Sequence, residues 1–193
     1  MSTVEAIVGT RRGADAIVES LEKCNVDMVF GYSGGGNGTL IDSISKSGLR
    51  NMNGRTELSS AWMSYGYNRM KKRVGSACAF HCVGMLHVTP VIYAAKTDST
   101  PLLIMDVNLD SALDVREGLQ DAMEVYSVLK PISKYIRKVV AADDLPLAIR
   151  QAVISASTGR PGPSVLDLAY QVLLHPTKCK IENLSLPEPP GGE

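Results

Sequence analysis

Short apolar runs alternate along the chain with stretches whose apolar residues recur every three or four positions, a pattern that predicts strands and helices in turn. From Gly13 to Cys24 the residues Ile17, Val18 and Leu21 share one helical face, and Val26 to Phe30 reads as a short buried strand. A loop of small residues, Gly31 to Gly38, leads into a helix from Thr39 to Ser47 and a weaker strand from Leu49 to Asn53. Glu57 to Arg73 is a long helix; Ser76 to Cys82 and Pro101 to Val107 are strands, separated by a helix from Met85 to Thr97. A polar stretch from Asn108 to Gly118 precedes a short helix near Ala122 to Val128 and a strand from Tyr135 to Val140. Asp143 and Asp144 suit the cap of a last helix bearing Leu145, Ile149, Ala152, Val153 and Ala156 on one face, and Ser164 to Leu168 is the final strand.

Strands alternating with helices at this spacing predict an α/β fold: one doubly wound, mainly parallel sheet with helices on both faces, which places ligands at the carboxyl ends of its strands. Residues 1–175 are expected to form one domain. The stretch 176–193 has no periodicity and ends in Pro-Glu-Pro-Pro-Gly-Gly-Glu, so an extended or mobile tail is expected there.

Composition narrows the partners. Lys plus Arg and Asp plus Glu each number 20 in 193 residues, so no net field favours nucleic acid or an anionic membrane. Apolar runs break within about ten residues, short of the length that spans a bilayer, and the first residues lack the order of a signal peptide. Cys24, Cys78, Cys82 and Cys179 are scattered without C-x-x-C pairs, which fits a reduced, cytoplasmic protein and no metal site. Cys82 reads as a core residue, since a nucleophile would need a base and access.

The glycine loop after Phe30 fails both nucleotide patterns. Asn37-Gly38-Thr39 stands where a Walker loop needs Gly-Lys-Ser/Thr, and Thr39 occupies the third glycine of G-x-G-x-x-G counted from Gly34. Two readings remain: a shape-fitting turn, or a surface on which a ring lies against bare backbone.

Phe30-Gly31-Tyr32-Ser33-Gly34-Gly35 resembles the F-G-x-P-G-G turn of thiamine diphosphate enzymes of the acetolactate synthase and pyruvate oxidase type. Glu57 and Ala61 fall on their H-E-x-x-A, with Thr56 replacing the His, and Gly66-Tyr67-Asn68-Arg69 is similar to their G-Y-A-R. Val83-Gly84 sits on their S-G-P-G-A-T-N turn, His87 taking the place of the Asn. Asp98-Ser99-Thr100-Pro101-Leu102 resembles D-S-x-P-L, Gln120 the Gln of F-Q-E, and the segments 130–134 and 158–163 continue the likeness. It runs from about Gly13 to Val172.

The resemblance implies a pyrimidine-binding domain. Glu57 would bond N1′ of the aminopyrimidine and pass it a proton, activating the neighbouring amino group as the base for the thiazolium C2, while the cofactor carries the carbanion chemistry. Thr56, Leu58, Trp62 and Met63 are expected to form an apolar pocket for that carboxyl. Taken without the resemblance, Glu57 reads first as a first-turn acid favoured by the helix dipole. Ser33, Gly34, Gly35, Val83 and Gly84 would line the cofactor, Gln120 would meet the substrate oxygen, and His81 and His87 flank the turn that faces the cofactor. A histidine at a strand end is either a satisfied structural residue or one that binds substrate and moves protons.

Neither a G-D-G nor an N-N occurs in the sequence, so the pyrophosphate and Mg²⁺ ligands are expected from a second subunit of similar size, most simply in an α2β2 assembly. The implied activity is that of a carbon-carbon lyase on a 2-oxo acid or related carbonyl compound. A two-subunit decarboxylase similar to the sulfopyruvate type leads, and an acetolactate-synthase-like carboligase is the alternative. A catalytically silent binding or regulatory module with the same fold is the rival of a different class. Pyruvate decarboxylase itself fits poorly: Phe80-His81-Cys82-Val83-Gly84 resembles its F-C-V-G, but it has an Asp where Gly35 stands and a His pair near Gln120.

Overall fold

The computed structural model describes residues 11–81, 83–108 and 125–181. Cys82, Gly118, Gln120 and the start of the helix expected near Ala122 lie outside the described residues.

Six parallel strands form one sheet in the order β2-β1-β3-β4-β6-β5, with β1 Met28–Gly31, β2 Arg50–Asn53, β3 Ser76–His81, β4 Leu102–Asn108, β5 Tyr135–Val139 and β6 Pro163–Ala169. Helices α1 Gly13–Lys23, α2 Gly38–Ser45, α3 Glu57–Lys71, α4 Gly84–His87, α5 Thr89–Thr97, α6 Val125–Leu129, α7 Leu145–Ser157 and α8 Tyr170–Leu174 connect and cover it. Side chains alternate between the faces as the pleat requires. Leu103, Met105 and Val107 of β4 join α1, α2, α7 and α8 in the larger core; Leu102 and Ile104 join Phe80, Ala61, Met85, Val91 and Ile92 under α3 to α6. Central strands buried on both faces explain their near-continuous apolar runs, and the exposed Arg50–Asn53 strand closes one edge with polar residues.

The expected helix from Met85 to Thr97 is two helices. Pro90 has no N–H to donate to Leu86 O, and Thr89 Oγ1 donates to that carbonyl instead, at 2.9 Å. Asp143 and Asp144 do not cap α7 with their side chains. Asp143 Oδ1 accepts from Thr177 Oγ1 at 2.5 Å and Asp144 Oδ2 from Arg137 Nη2 at 3.3 Å, because a 3₁₀ turn over Ala142–Asp144 points both acids away from the helix start.

Past β6 the chain adds α8, which the pattern of the sequence did not suggest. It then returns to the body: Pro176 bridges Arg12, Thr177 is buried, and Thr177 N donates to Arg11 O at 2.9 Å. This first part of the expected tail is held in place.

Candidate active site

The carboxyl ends of β1 and β3 and the amino end of α3 meet at one place. Thr56, extended at φ −150°, caps α3: its Oγ1 accepts from Ser59 N at 3.1 Å, and Ser59 Oγ accepts from Thr56 N at 3.1 Å. This reciprocal box satisfies two helix-end donors and fixes where Glu57 begins. Ser60 Oγ donates to Gly31 O at 2.6 Å and accepts from Gly54 N at 2.9 Å, tying the first turn of α3 to the end of β1. A Cβ on Gly54 would come within 2.5 Å of both Ser59 Oγ and Ser60 Oγ, so only glycine lets the chain pass there.

Glu57 points from this turn toward α4. Its side chain is 18% exposed, and its Oε2 lies 3.1 Å from Nδ1 of the exposed His87. With the carboxylate ionised, His87 Nδ1 carries the shared proton. Gly84 lies directly under the acid: a Cβ there would stand 2.6 Å from Glu57 Oε1 and 3.0 Å from Cδ. The apolar pocket expected around the carboxyl is absent from these contacts. Leu58 and Trp62 are exposed, and Trp62 packs edge-on against Tyr65 with ring centroids 5.2 Å apart. Helical geometry is the reason, since the residue four positions after Glu57 on its own face is the buried Ala61.

His81 belongs to the other side of the site. Its Nδ1 is 2.7 Å from Val107 O, and because a carbonyl only accepts, Nδ1 bears the proton and Nε2 is left as the basic nitrogen of the neutral ring. The imidazole fills the concavity of the glycine loop, where a Cβ on Gly36 would stand 2.0 Å from His81 Cε1. The buried Asn37 staples that loop: Oδ1 accepts from Gly34 N at 2.9 Å while Nδ2 donates to Tyr32 O at 3.0 Å and to Ala79 O at 3.4 Å. Ser33 Oγ accepts from Asn53 Nδ2 at 3.2 Å, and Gly35 has nothing within 4 Å of where its Cβ would be.

Glu57, Gly84 and His87 therefore form one group, and His81, Gly34 and Gly36 a second, with Val83 exposed at the turn between β3 and α4. Sequence reasoning missed Asn37, Ser60 and Gly54, whose work is to hold the loop and helix. Asn37, placed at the end of a glycine run and directly before a helix, was the available signal.

A carboxyl thus stands at a helix start, seated on a glycine where a Cβ would push it aside. Residues 11–128 match the sequence profile of the thiamine pyrophosphate enzyme, N-terminal TPP binding domain. The chain belongs to this family. It is 32% identical over 157 residues to the acetolactate synthase large subunit of Haemophilus influenzae, covering 81% of this chain and 27% of that protein. The large subunit of Corynebacterium glutamicum is 32% identical over 161 residues, 83% of this chain and 26% of that one, and maize acetolactate synthase 1 is 31% identical over 163 residues, 84% and 25%. The chain thus spans about a quarter of the length of these curated relatives. Thiamine diphosphate is the cofactor of the family, and the carboxyl of Glu57 with the open backbone at Gly35 fits its aminopyrimidine end.

Proposed function

We propose that this chain supplies the pyrimidine-binding half of a thiamine diphosphate-dependent carbon-carbon lyase acting on a 2-oxo acid, and that a separate pyrophosphate-binding subunit completes the site as α2β2. The seating of Glu57 on Gly84 at the start of α3 carries this reading. When bound, thiamine diphosphate supplies a carbon nucleophile at its thiazolium C2 that adds to a carbonyl carbon. Glu57 holds and exchanges a proton at ring N1′. His87, within hydrogen-bond reach of Glu57 Oε2, donates to that oxygen and orients the carboxylate. Gly34, Gly35, Val83 and Ser33 leave room for the ring edge, His81 keeps the glycine loop open by filling its concavity, and Gln120 is assigned the substrate oxygen on the strength of the resemblance alone.

Support for a partner comes from the surface beside Glu57, where Leu58, Trp62, Val83 and Leu86 are all exposed apolar side chains. The Mg²⁺ and pyrophosphate ligands are assigned outside these 193 residues, which contain no G-D-G, and in this reading to the partner. Decarboxylation of a 2-oxo acid is the proposed reaction. Carboligation of the acetolactate type is the second reading, favoured by the names of the relatives.

The test is calorimetric and then chemical. The chain alone should bind thiamine diphosphate weakly and turn over nothing; with a candidate G-D-G subunit, Mg²⁺-dependent binding and consumption of a 2-oxo acid should appear. Tight Mg²⁺-dependent binding by the chain alone would sink the two-subunit reading. Absence of turnover in a complex that binds cofactor would identify a silent module, and aldehyde versus acyloin product separates the two enzyme readings.

A further inference from the structure

At the opposite end of the sheet, the segments 130–134 and 158–163 meet around a cavity of about 350 Å³ for which the reading of the site has no use. Lys96, Ser133, Lys134, Arg160, Pro161 and Gly162 line it. Lys96 is in the last turn of α5, Ser133 and Lys134 precede β5, and Arg160 to Gly162 precede β6, so the three cationic residues of the wall come from three separate connections.

Among the described residues none of the three pairs with a carboxylate. Each is held by neutral acceptors: Lys96 Nζ donates to Pro131 O at 2.6 Å, Lys134 Nζ to Thr158 O at 2.6 Å, and Arg160 to Ser99 Oγ through Nε at 2.8 Å and to Thr97 O through Nη2 at 2.9 Å. One bond per ammonium leaves two N–H donors on each lysine, and Arg160 keeps both N–H groups of Nη1. The carbonyl contacts fix where the cations sit without neutralising them. Elsewhere on this chain cations near a cavity have acids beside them, as Arg73 has Asp27.

Ser133 belongs to the wall of this cavity, but its hydroxyl is sealed from solvent and so adds no donor to it. Burial pushes the Lys134 ammonium below the usual lysine range, a cost that an adjacent anion would relieve.

We propose that this cavity binds a compact phosphate dianion, free or as a small phosphomonoester, held by Lys96, Lys134 and Arg160. Tetrahedral oxygens can take donors from several directions, which suits two ammoniums and a guanidinium better than a planar carboxylate does. The cavity is at the small end of the usual range for ligand sites, about 300–1,000 Å³, which suits a compact anion. Because it lies at the amino ends of β5 and β6, away from Glu57, its occupant is an effector and not the substrate.

The experiment uses the full chain without thiamine diphosphate, so it stands or falls apart from the reading of Glu57. The melting temperature is followed against inorganic phosphate, and separately against glycerol 3-phosphate, with chloride at equal ionic strength as the reference. A saturable rise with phosphate is expected. Equal response to both compounds identifies the dianion itself as the ligand; a stronger response to glycerol 3-phosphate identifies a phosphomonoester. Lys96→Gln and Lys134→Gln should each weaken the titration about tenfold, while Lys46→Gln, which removes a cation already paired with Asp42, leaves it unchanged. Arg160→Lys keeps the charge but loses the fork and should weaken binding to a smaller degree, a check that does not depend on tolerance of charge removal. No saturable rise, or the same rise in Lys96→Gln and Lys134→Gln as in the parent, overturns the proposal.

Discussion

Asn68, buried at the amino end of β3, accepts from Gly75 N at 2.9 Å, Ser76 N at 2.7 Å and Ser76 Oγ at 3.1 Å, and donates to Ser76 O at 3.0 Å. The carboxyl end of the same strand is built otherwise: it runs from His81, pressed into Gly36, to Gly84, pressed under Glu57. One end of β3 is made by answering polar groups, the other by removing side chains so that functional groups come close. Stability therefore concentrates at the amino end and approach at the carboxyl end, as expected for a parallel sheet whose ligands gather beyond its carboxyl edge. Substitutions at the two ends should then fail in different ways.

The largest effect is expected from Glu57→Gln. The change keeps volume and the helix start but removes the acid proposed to exchange a proton, and loss of such assistance costs about 10²–10⁴-fold in rate. Deuterium exchange at thiamine C2 in the assembled enzyme measures it, with the melting temperature as a control that should barely move. Exchange near the parent's rate would remove Glu57 from the mechanism.

Gly84→Ala comes next and tests whether closeness itself is what the carboxyl end provides. Its new Cβ would meet Glu57 Oε1 at 2.6 Å, so the carboxyl must shift, and a displacement of about 1 Å can cost about 10²-fold. C2 exchange should fall by about that factor while the chain stays folded. At the amino end, Lys96→Gln and Lys134→Gln should lose phosphate response and leave C2 exchange untouched. Equal loss of exchange in those variants would erase the distinction between the two ends.

Much of this architecture was legible before any coordinates. The central strands announced themselves because burial on both faces leaves near-continuous apolar runs, and Glu57 stood out as a candidate because a helix start, a following Ala61 and a downstream Val83-Gly84 occur in family order. What stayed hidden depended on contacts between distant segments. The break at Val88 needed the knowledge that Thr89 would answer Leu86 O; α8 and the buried Thr177 depend on packing against α1. The division of labour between the histidines was invisible too, since nothing local says that His87 meets Glu57 and His81 meets Val107 O. Likewise, Lys96, Lys134 and Arg160 belong to three different connections, and only the fold puts them around one cavity.

The smallest effect concerns the electrostatic burden of the carboxyl end. Asp106 of β4 and Asp167 of β6 are register partners, both buried, with Lys138 of β5 next in the row. Desolvation pushes the Asp167 carboxyl above its ordinary value of 3.8, partly offset by Lys138 and by a hydrogen bond from Asn108, and its Oδ1 has no hydrogen-bond partner among the described residues. A carboxyl whose folded value is raised favours the folded state when protonated, so its ionised form is a cost. That cost is fully present above the folded value, declines as pH falls through it, and is gone below the unfolded value. Asp167→Asn keeps the shape and removes the charge. At pH 8 it should raise stability by about 1 kcal/mol, roughly 2–4 °C in Tm for a chain of this size, the gain being limited by the lost attraction to Lys138. The gain should shrink as the pH is lowered toward 4. Thermal melts of both proteins across that range provide the measurement. A variant less stable than the parent at pH 8 would mean that the ionised Asp167 is held by favourable contacts, and that the carboxyl end of the sheet is built for stability as fully as the amino end.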